Sequence, residues 1–299
     1  MTVNKRTILV LGATGQQGGA TAAQLLADGW QVRAFTRDPS SPAARALALA
    51  GASLHQGDME DSSSLAEAMR GVYGVFSVQP PEWDPSDAAA EKEIRMGIRV
   101  ADAAKEAGVR RFVYSSVSGA DRQARFPYLA KWEIEKHIRS LGLHATILRP
   151  SGFMESYVNP MFGIRNGTLT EATRADVPVK LIAVEDIGVF AKLAFRHPEE
   201  WRGKTVEIAG DAVTPPEIAS AISKAVGLHV RHVQLSIESV RQHNETIARL
   251  YEWLNGESYE VDYPALRELH PNLMTFEAWL EKKGKAMFLN LLGSGPSGS

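Results

Sequence analysis

Cysteine is absent from the 299 residues. That excludes disulfides, thiolate nucleophiles, iron–sulfur clusters and thiolate zinc sites, and it fits a reducing compartment. Charge of one sign is also missing. Lys and Arg number 33 against 35 Asp and Glu, a formal net charge of -2, so no basic field points to nucleic acid or an anionic membrane surface. No apolar run approaches the roughly 18 residues of a membrane span. Met1–Arg6 leads into a strand-like segment without the apolar core of a signal peptide. A cytoplasmic protein with no membrane or nucleic-acid partner is expected. The Gly-x-Ser-x-Gly elbow of serine hydrolases does not occur. Of eight histidines only His229 and His232 stand close, in the strand-like Leu228–Leu235 and without a carboxylate at ligand spacing, so no metal is expected.

What is present is 44% hydrophobic residues, enough for a large core. In the first half, short apolar runs alternate with longer amphipathic ones. Strands are expected at Thr7–Leu11, Val32–Thr36, Ser53–Gln56, Gly74–Val78, Arg111–Ser115 and His144–Leu148. Helices are expected between them at Gly15–Asp28, Ser40–Leu49, Ser62–Arg70, Ser86–Ala107 and Tyr128–Leu141. Such alternation implies right-handed crossovers and a doubly wound parallel α/β sheet of Rossmann type.

After Pro150 the rhythm weakens. Helices are read at Glu185–Phe195, Pro215–Val226 (with Thr214 as N-cap), Ile237–Trp253, Tyr263–Leu269 and Thr275–Lys283, and a strand at Thr205–Ala209. The expected organisation is a dinucleotide-binding domain over residues 1–152 and a smaller, mostly helical substrate or regulatory lobe over 153–292. Parts of 178–210 return to the main sheet, and 293–299 form a flexible tail or fusion remnant.

Leu11-Gly12-Ala13-Thr14-Gly15-Gln16-Gln17-Gly18-Gly19 carries G-x-x-G-x-x-G at the first strand–helix junction. A pyrophosphate must approach backbone N–H groups closely, where a Cβ would obstruct it, and a helix N-terminus adds partial positive charge. Gly12 makes the tight turn, Gly15 clears room for the phosphates and Gly18 lets the helix pack on the strand. Thr14, Gln16 and Gln17 lie in the same loop. The second strand ends Thr36-Arg37-Asp38-Pro39. Arg37 suits a 2′-phosphate and so favours NADP(H), whereas Asp38 keeps NAD(H) open. Asp58, after the third strand, is read either as an adenine contact or as an N-cap. Gln79, after the fourth strand, is placed near the cofactor by position alone.

With these residues assembled, the chain resembles the NmrA-like family of atypical short-chain dehydrogenases/reductases. The shared features are Gly12-Ala13-Thr14-Gly15-x-x-Gly18-Gly19, Thr36-Arg37-Asp38-Pro39, Gly57-Asp58, Tyr114-Ser115-Ser116, Lys131, Leu148-Arg149-Pro150-x-Gly152-Phe153-Met154-Glu155 and Val184-Glu185-Asp186-Ile187-Gly188. The resemblance runs through most of residues 6–285. It implies two lobes with the nicotinamide end of the cofactor between them, and NADP(H) more often than NAD(H). It leaves activity open, because the family includes reductases of quinones, dyes and plant phenolics as well as nucleotide-binding proteins without catalysis.

Short-chain dehydrogenases generally use Tyr-x-x-x-Lys, in which the ammonium lowers the phenol pKa and binds the nicotinamide ribose. Here position i−4 from Lys131 is Pro127, and Tyr128 sits at i−3, about 100° away around a helix. Tyr128 therefore does not simply inherit the proton-donor role, but it stays a candidate acid beside Lys131 and Ser115. Lys131 remains a candidate for the ribose, against an ordinary solvated lysine. Ser115 and Ser116 are candidates for polarising an acceptor carbonyl, and Phe153 and Met154 for holding the acceptor. Tyr251, Trp253, Tyr259 and Tyr263 are read as pocket lining or as core. Two functions follow: an NADPH-dependent reductase of a quinone-like small molecule, or a non-catalytic NADP(H)-sensing regulator that acts through a change of shape, a protein partner or a second copy.

Overall fold

Ile8, Leu9, Val10 and Leu11 have no solvent exposure at all, as a strand covered on both faces requires. Ile8, Leu9 and Val10 belong to the first strand, and Leu11 follows it, in a computed structural model that describes residues 4–80, 87–122, 129–159, 164–165, 167–256 and 259–293. The first unit comprises residues 1–150 and 184–207. It contains β1 (Asn4–Val10), β2 (Trp30–Thr36), β3 (Ser53–Gln56), β4 (Gly74–Ser77), β5 (Arg111–Ser115) and β6 (Ala145–Pro150), with a further strand at Thr205–Ile208. The order across the sheet is the Thr205–Ile208 strand, β6, β5, β4, β1, β2, β3. β1 and β4 run parallel, and the strand order reverses between them, so a crevice opens beyond their carboxyl ends, where such sheets bind ligands.

Among the described residues the longer helices of this unit are α1 (Gln16–Ala27), α2 (Pro42–Leu49), α3 (Ser62–Met69), α4 (Asp87–Glu106), α5 (Leu129–Ser140) and α6 (Val184–Arg196), with a short one at Pro198–Trp201. Leu65 and Met69 of α3, Val100 and Ala104 of α4, and Ile134 and Ile138 of α5 form one core with the sheet residues Leu9, Val75, Phe112, Tyr114 and Ile147. On the other face α6 lies against α1. A Cβ at Gly188 would come within 2.6 Å of the Ala20 carbonyl oxygen, so only glycine allows this approach.

The second unit comprises residues 151–183 and 208–299. Besides helices it holds two three-stranded sheets. One is ordered Asp211–Val213, Val179–Ile182, Gly152–Phe153, and the other Arg231–Gln234, Thr168–Glu171, Ile164–Arg165. Strands this short carry no readable period, which is why the sequence rhythm suggested mainly helices. Within 178–210 only Thr205–Ile208 joins the main sheet, while Val179–Ile182 pairs inside this unit.

Thr214 precedes the helix Pro215–Val226, and its backbone N–H and hydroxyl both donate to the Glu217 carboxylate at 2.8 Å. The single helix expected over Ile237–Trp253 is two, Ile237–Arg241 and Glu245–Gly256, because the Asn244 side chain accepts from Ile247 N and starts a new helix. The segment expected to end at Lys283 continues to Gly293 through a π-helical turn at Leu280–Gly284. There Gly284 packs on Trp279, whose ring would meet a Cβ at 2.6 Å. Of the expected tail, 294–299 lie outside the described residues.

Candidate functional site

The turn after β1 is tight and closely packed. Gly12 has φ +66°, and a Cβ there would press on Val78 Cγ1 at 2.8 Å. A Cβ at Gly18 would sit 2.1 Å from the Gly12 carbonyl oxygen, so α1 rests directly on the turn. Gly15 is the N-cap of α1 and supplies no side-chain cap, and the first turn has no acidic residue. The N–H groups of that turn have no helical acceptor. They open onto a surface where Thr14, Gly15 and Gln16 are exposed, which is the environment an anion fills.

At the end of β2, Asp38 is folded onto its own turn. Its Oδ1 accepts from Ser40 N at 2.8 Å and from Ser40 Oγ at 2.5 Å. The Ser40 hydroxyl and N–H, helped by the nearby Arg45 charge, hold the carboxyl below its ordinary pKa. Arg37 is exposed, and its guanidinium makes no hydrogen bond or ion pair to other described residues. Asp58 does not cap α3, because Asp61 does so by accepting from Ser63 N at 2.9 Å. Instead Asp58 Oδ1 accepts from Glu60 N, and its backbone is tied to Ser64 Oγ. Beside it, a Cβ at Gly57 would meet the Phe35 ring at 2.5 Å.

Gln79, 2% exposed, donates through Nε2 to Ser77 Oγ at 3.0 Å, while its buried Oε1 has no partner among the described residues. An unmatched buried acceptor next to the glycine turn is a place for a ligand hydroxyl or amide. Ser115 and Gln17 are brought together: Ser115 Oγ donates to Gln17 Oε1 at 2.6 Å. The Ser116 hydroxyl is committed elsewhere, donating to Glu135 Oε1 at 2.6 Å.

Lys131 is not a solvated surface lysine. Its Nζ lies 2.6 Å from Glu93 Oε1 on α4, and both side chains are nearly buried. It is the third residue of α5, where the positive end of the helix disfavours a cation, and the Glu93 carboxylate compensates. The ammonium also stands 5.8 Å from the centre of the Tyr114 ring. Tyr114 is fully buried, and its hydroxyl has no partner among the described residues. Burial, then the charges of Glu93 and Glu135, push its phenol pKa well above the ordinary value. Tyr128 lies outside the described residues.

Sequence reasoning missed a buried charge cluster one helical turn beyond Lys131. Arg149 at the end of β6 forks onto Glu135 of α5, Nε to Oε1 at 2.9 Å and Nη2 to Oε2 at 2.8 Å. Its Nη1 reaches Asp121 at 2.7 Å and Glu207 at 3.1 Å. Burial works against the charge on Arg149, but Glu135, then Asp121 and Glu207, outweigh it and hold the guanidinium protonated. The available signal was an arginine within the otherwise apolar strand around Leu148, together with the Lys131–Glu135 spacing.

Phe153 and Met154 belong to the second unit. Met154 is fully buried in its core with Phe276, Trp279 and Ile218, and Phe153 is half-buried. Met154 is therefore a core side chain there, because the strand Gly152–Phe153 turns it inward. Trp253 and Tyr259 stack at 6.0 Å, with Lys180 Nζ 4.4 Å from the Tyr259 ring centre, and Tyr263 donates to the Asp211 carbonyl. Among the described residues no helix is long and apolar enough to cross a membrane.

Comparison with known proteins agrees with this geometry. The model of the NmrA-like family matches residues 4–280. The NmrA-like family domain-containing oxidoreductase hkm9 of Aspergillus hancockii is 30% identical over 256 residues, 77% of this chain and 76% of its own. The solved structure of NmrA, a negative transcriptional regulator, in complex with NADP has a TM-score of 0.78 at 20% identity and covers 98% of both chains. The same regulator is also known in complex with NAD. An NADPH-dependent quinone oxidoreductase from Escherichia coli has a TM-score of 0.73 at 24% identity, covering 92% of this chain and 98% of its own. Those two structures share the fold. The glycine turn, the seven-stranded sheet and the family match over nearly the whole described chain lead to one assignment: this protein belongs to the NmrA-like family.

Proposed function

We propose that this protein is an NADP(H)-dependent reductase that passes hydride to a quinone or a similar small conjugated carbonyl compound. The observation that carries the cofactor choice is the contrast at the end of β2. Arg37 presents an exposed guanidinium without a partner among the described residues, while the Asp38 carboxylate is engaged by Ser40. An NAD(H) site needs that carboxylate for the ribose 2′-hydroxyl, and an NADP(H) site needs the cation for the 2′-phosphate.

In this reading the first-turn N–H groups of α1 and the Gly12–Gly18 turn hold the pyrophosphate, Arg37 holds the 2′-phosphate, and Gln79 and Lys131 hold the nicotinamide ribose. When bound, the cofactor supplies a hydride. Ser115, at the end of β5, holds its hydroxyl on Gln17 and turns that proton to the acceptor carbonyl when the acceptor binds. Lys131 is neutralised by Glu93, so it orients the ribose rather than lowering the pKa of a phenol. That arrangement suits an acceptor whose reduced oxygen takes its proton from water, as a quinone does. The similarity to the Escherichia coli NADPH-dependent quinone oxidoreductase supports the choice.

The test is steady-state oxidation of NADPH in the presence of a simple benzoquinone or naphthoquinone. Quinone-dependent turnover that falls when Ser115 is replaced by Ala is the expected result. Tight NADPH binding with no turnover on any quinone would sink the reductase reading. It would favour a nucleotide-sensing regulator, which the likeness to the NADP-bound transcriptional regulator makes the second reading.

A further inference from the structure

The cluster around Arg149 is placed where it governs two of the candidate groups at once. Its fork on Glu135 grips α5 four residues beyond Lys131, and residues four apart share a helix face. Glu135 in turn accepts from Ser116 Oγ at 2.6 Å, next to Ser115. The loop that follows β5 is held by the same guanidinium and its neighbours. Asp121 accepts from Arg149 Nη1, and Gly119 N donates to Glu207 Oε1 at 3.2 Å, the carboxylate that Nη1 also reaches. Ser118 Oγ donates to the Arg149 carbonyl at 2.9 Å, and Ser118 N to the Pro150 carbonyl at 3.0 Å. Arg139 adds a further bond to Glu135 Oε2 and one to Thr205.

We propose that Arg149 is a positioning residue for the nicotinamide end of the site, fixing Lys131 and Ser115 relative to each other through Glu135 and the loop Ser116–Asp121. This rests on the reductase reading above. The physical case is one of geometry rather than stability. A buried guanidinium–carboxylate pair contributes little that a well-packed apolar pair of the same size would not. A planar fork, however, fixes the direction and distance of what it joins in a way that apolar packing does not. Helix α5 and the β5 loop lie in the same crossover, at its end and its start, and among the described residues Arg149 of β6 contacts both. Displacing reacting groups by about 1 Å costs on the order of a hundredfold in rate.

The experiment compares the full-length wild type, Arg149→Met, and the double variant Arg149→Met with Glu135→Leu. Each is measured for thermal stability, quinone-dependent kcat and KM, NADPH affinity, and affinity for adenosine 2′,5′-bisphosphate, which probes only the other end of the cofactor. Arg149→Met leaves the buried Glu135 carboxylate with only Arg139 and Ser116 as partners and loses stability, and the double variant regains part of it. The expected result is that the double variant still shows kcat lowered roughly ten- to hundredfold, with bisphosphate affinity within about twofold of wild type. A merely structural role predicts that kcat returns together with stability, and that outcome overturns the proposal. If Arg149→Met does not fold, the double variant decides.

If the wild type itself does not turn over, the reductase reading has failed on its own. The NADPH-to-bisphosphate affinity ratio then tests Arg149. A fall of about fivefold or more in the double variant upholds positioning of the nicotinamide end, and an unchanged ratio overturns it.

Discussion

Lys131 Nζ and Glu93 Oε1, from the start of α5 and the interior of α4, form a nearly buried ion pair 2.6 Å long. The pair puts a cation in the first turn of a helix, which only an adjacent anion makes tolerable. Replacing Glu93 by Gln should therefore destabilise the protein by about 2–4 kcal/mol, toward the low side of the range for breaking a buried pair because both groups keep some solvent contact. Lys131→Met should cost less stability and raise the KM for NADPH. Equilibrium denaturation together with NADPH titration checks both. Unchanged stability in Glu93→Gln would mean the lysine is satisfied elsewhere.

Tyr114 lies under that ammonium with a buried hydroxyl that has no partner among the described residues. Burying an unmatched hydroxyl costs about 1–3 kcal/mol, so Tyr114→Phe should be neutral to stabilising. Its phenol is held protonated well above the ordinary range by burial and by Glu93 and Glu135, and turnover should be unaffected. Thermal melts and quinone-dependent kcat test this, and a collapse of kcat would make Tyr114 the missing acid.

Gly18 and Gly15 of the turn should respond differently. A methyl on Gly18 meets the Gly12 carbonyl at 2.1 Å, and backbone must move. Gly18→Ala should cost about 1–3 kcal/mol and abolish cofactor binding. At Gly15 the nearest atom to a Cβ is 3.3 Å away. Gly15→Ala should fold with a smaller loss and still bind NADPH poorly, because the methyl occupies the phosphate's approach. Calorimetric titration separates the two, and normal binding by Gly15→Ala would contradict the assignment of the turn.

In the second unit, burial raises the Glu171 carboxyl above its ordinary value of 4.5, only partly offset by the Thr173 hydroxyl. A raised folded pKa means the native state binds more protons than the unfolded one. Stability is then fullest below the unfolded pKa and declines as pH rises toward the folded pKa. Glu171→Gln should melt at a higher temperature than wild type at neutral pH, with the difference closing as pH falls toward about 4.5. A constant difference at all pH values would show that the carboxyl is not responsible.

Much of this was legible in the sequence because it rests on local signals. The glycine spacing, the buried run Ile8–Leu11 and the strand Arg111–Ser115 each need only neighbouring residues to be read. The partners of Lys131 and Ser115 were not legible, because Glu93 lies 38 residues away on another helix and Gln17 on the first crossover. The Arg149 cluster joins four separate segments through charges that look like ordinary solvated residues until the sheet assembles. The small sheets of the second unit escaped for a different reason: strands of two to four residues have no period.

The central claim is that the turn after β1 and Arg37 together form an NADP(H) site. Its most direct test is a parallel titration of wild type and Arg37→Ala with NADPH and with NADH, followed through tryptophan fluorescence. The account predicts that wild type binds NADPH at least about tenfold more tightly than NADH, and that Arg37→Ala removes the difference by weakening NADPH alone. Equal affinities in the wild type, or a preference that survives the loss of Arg37, would contradict it.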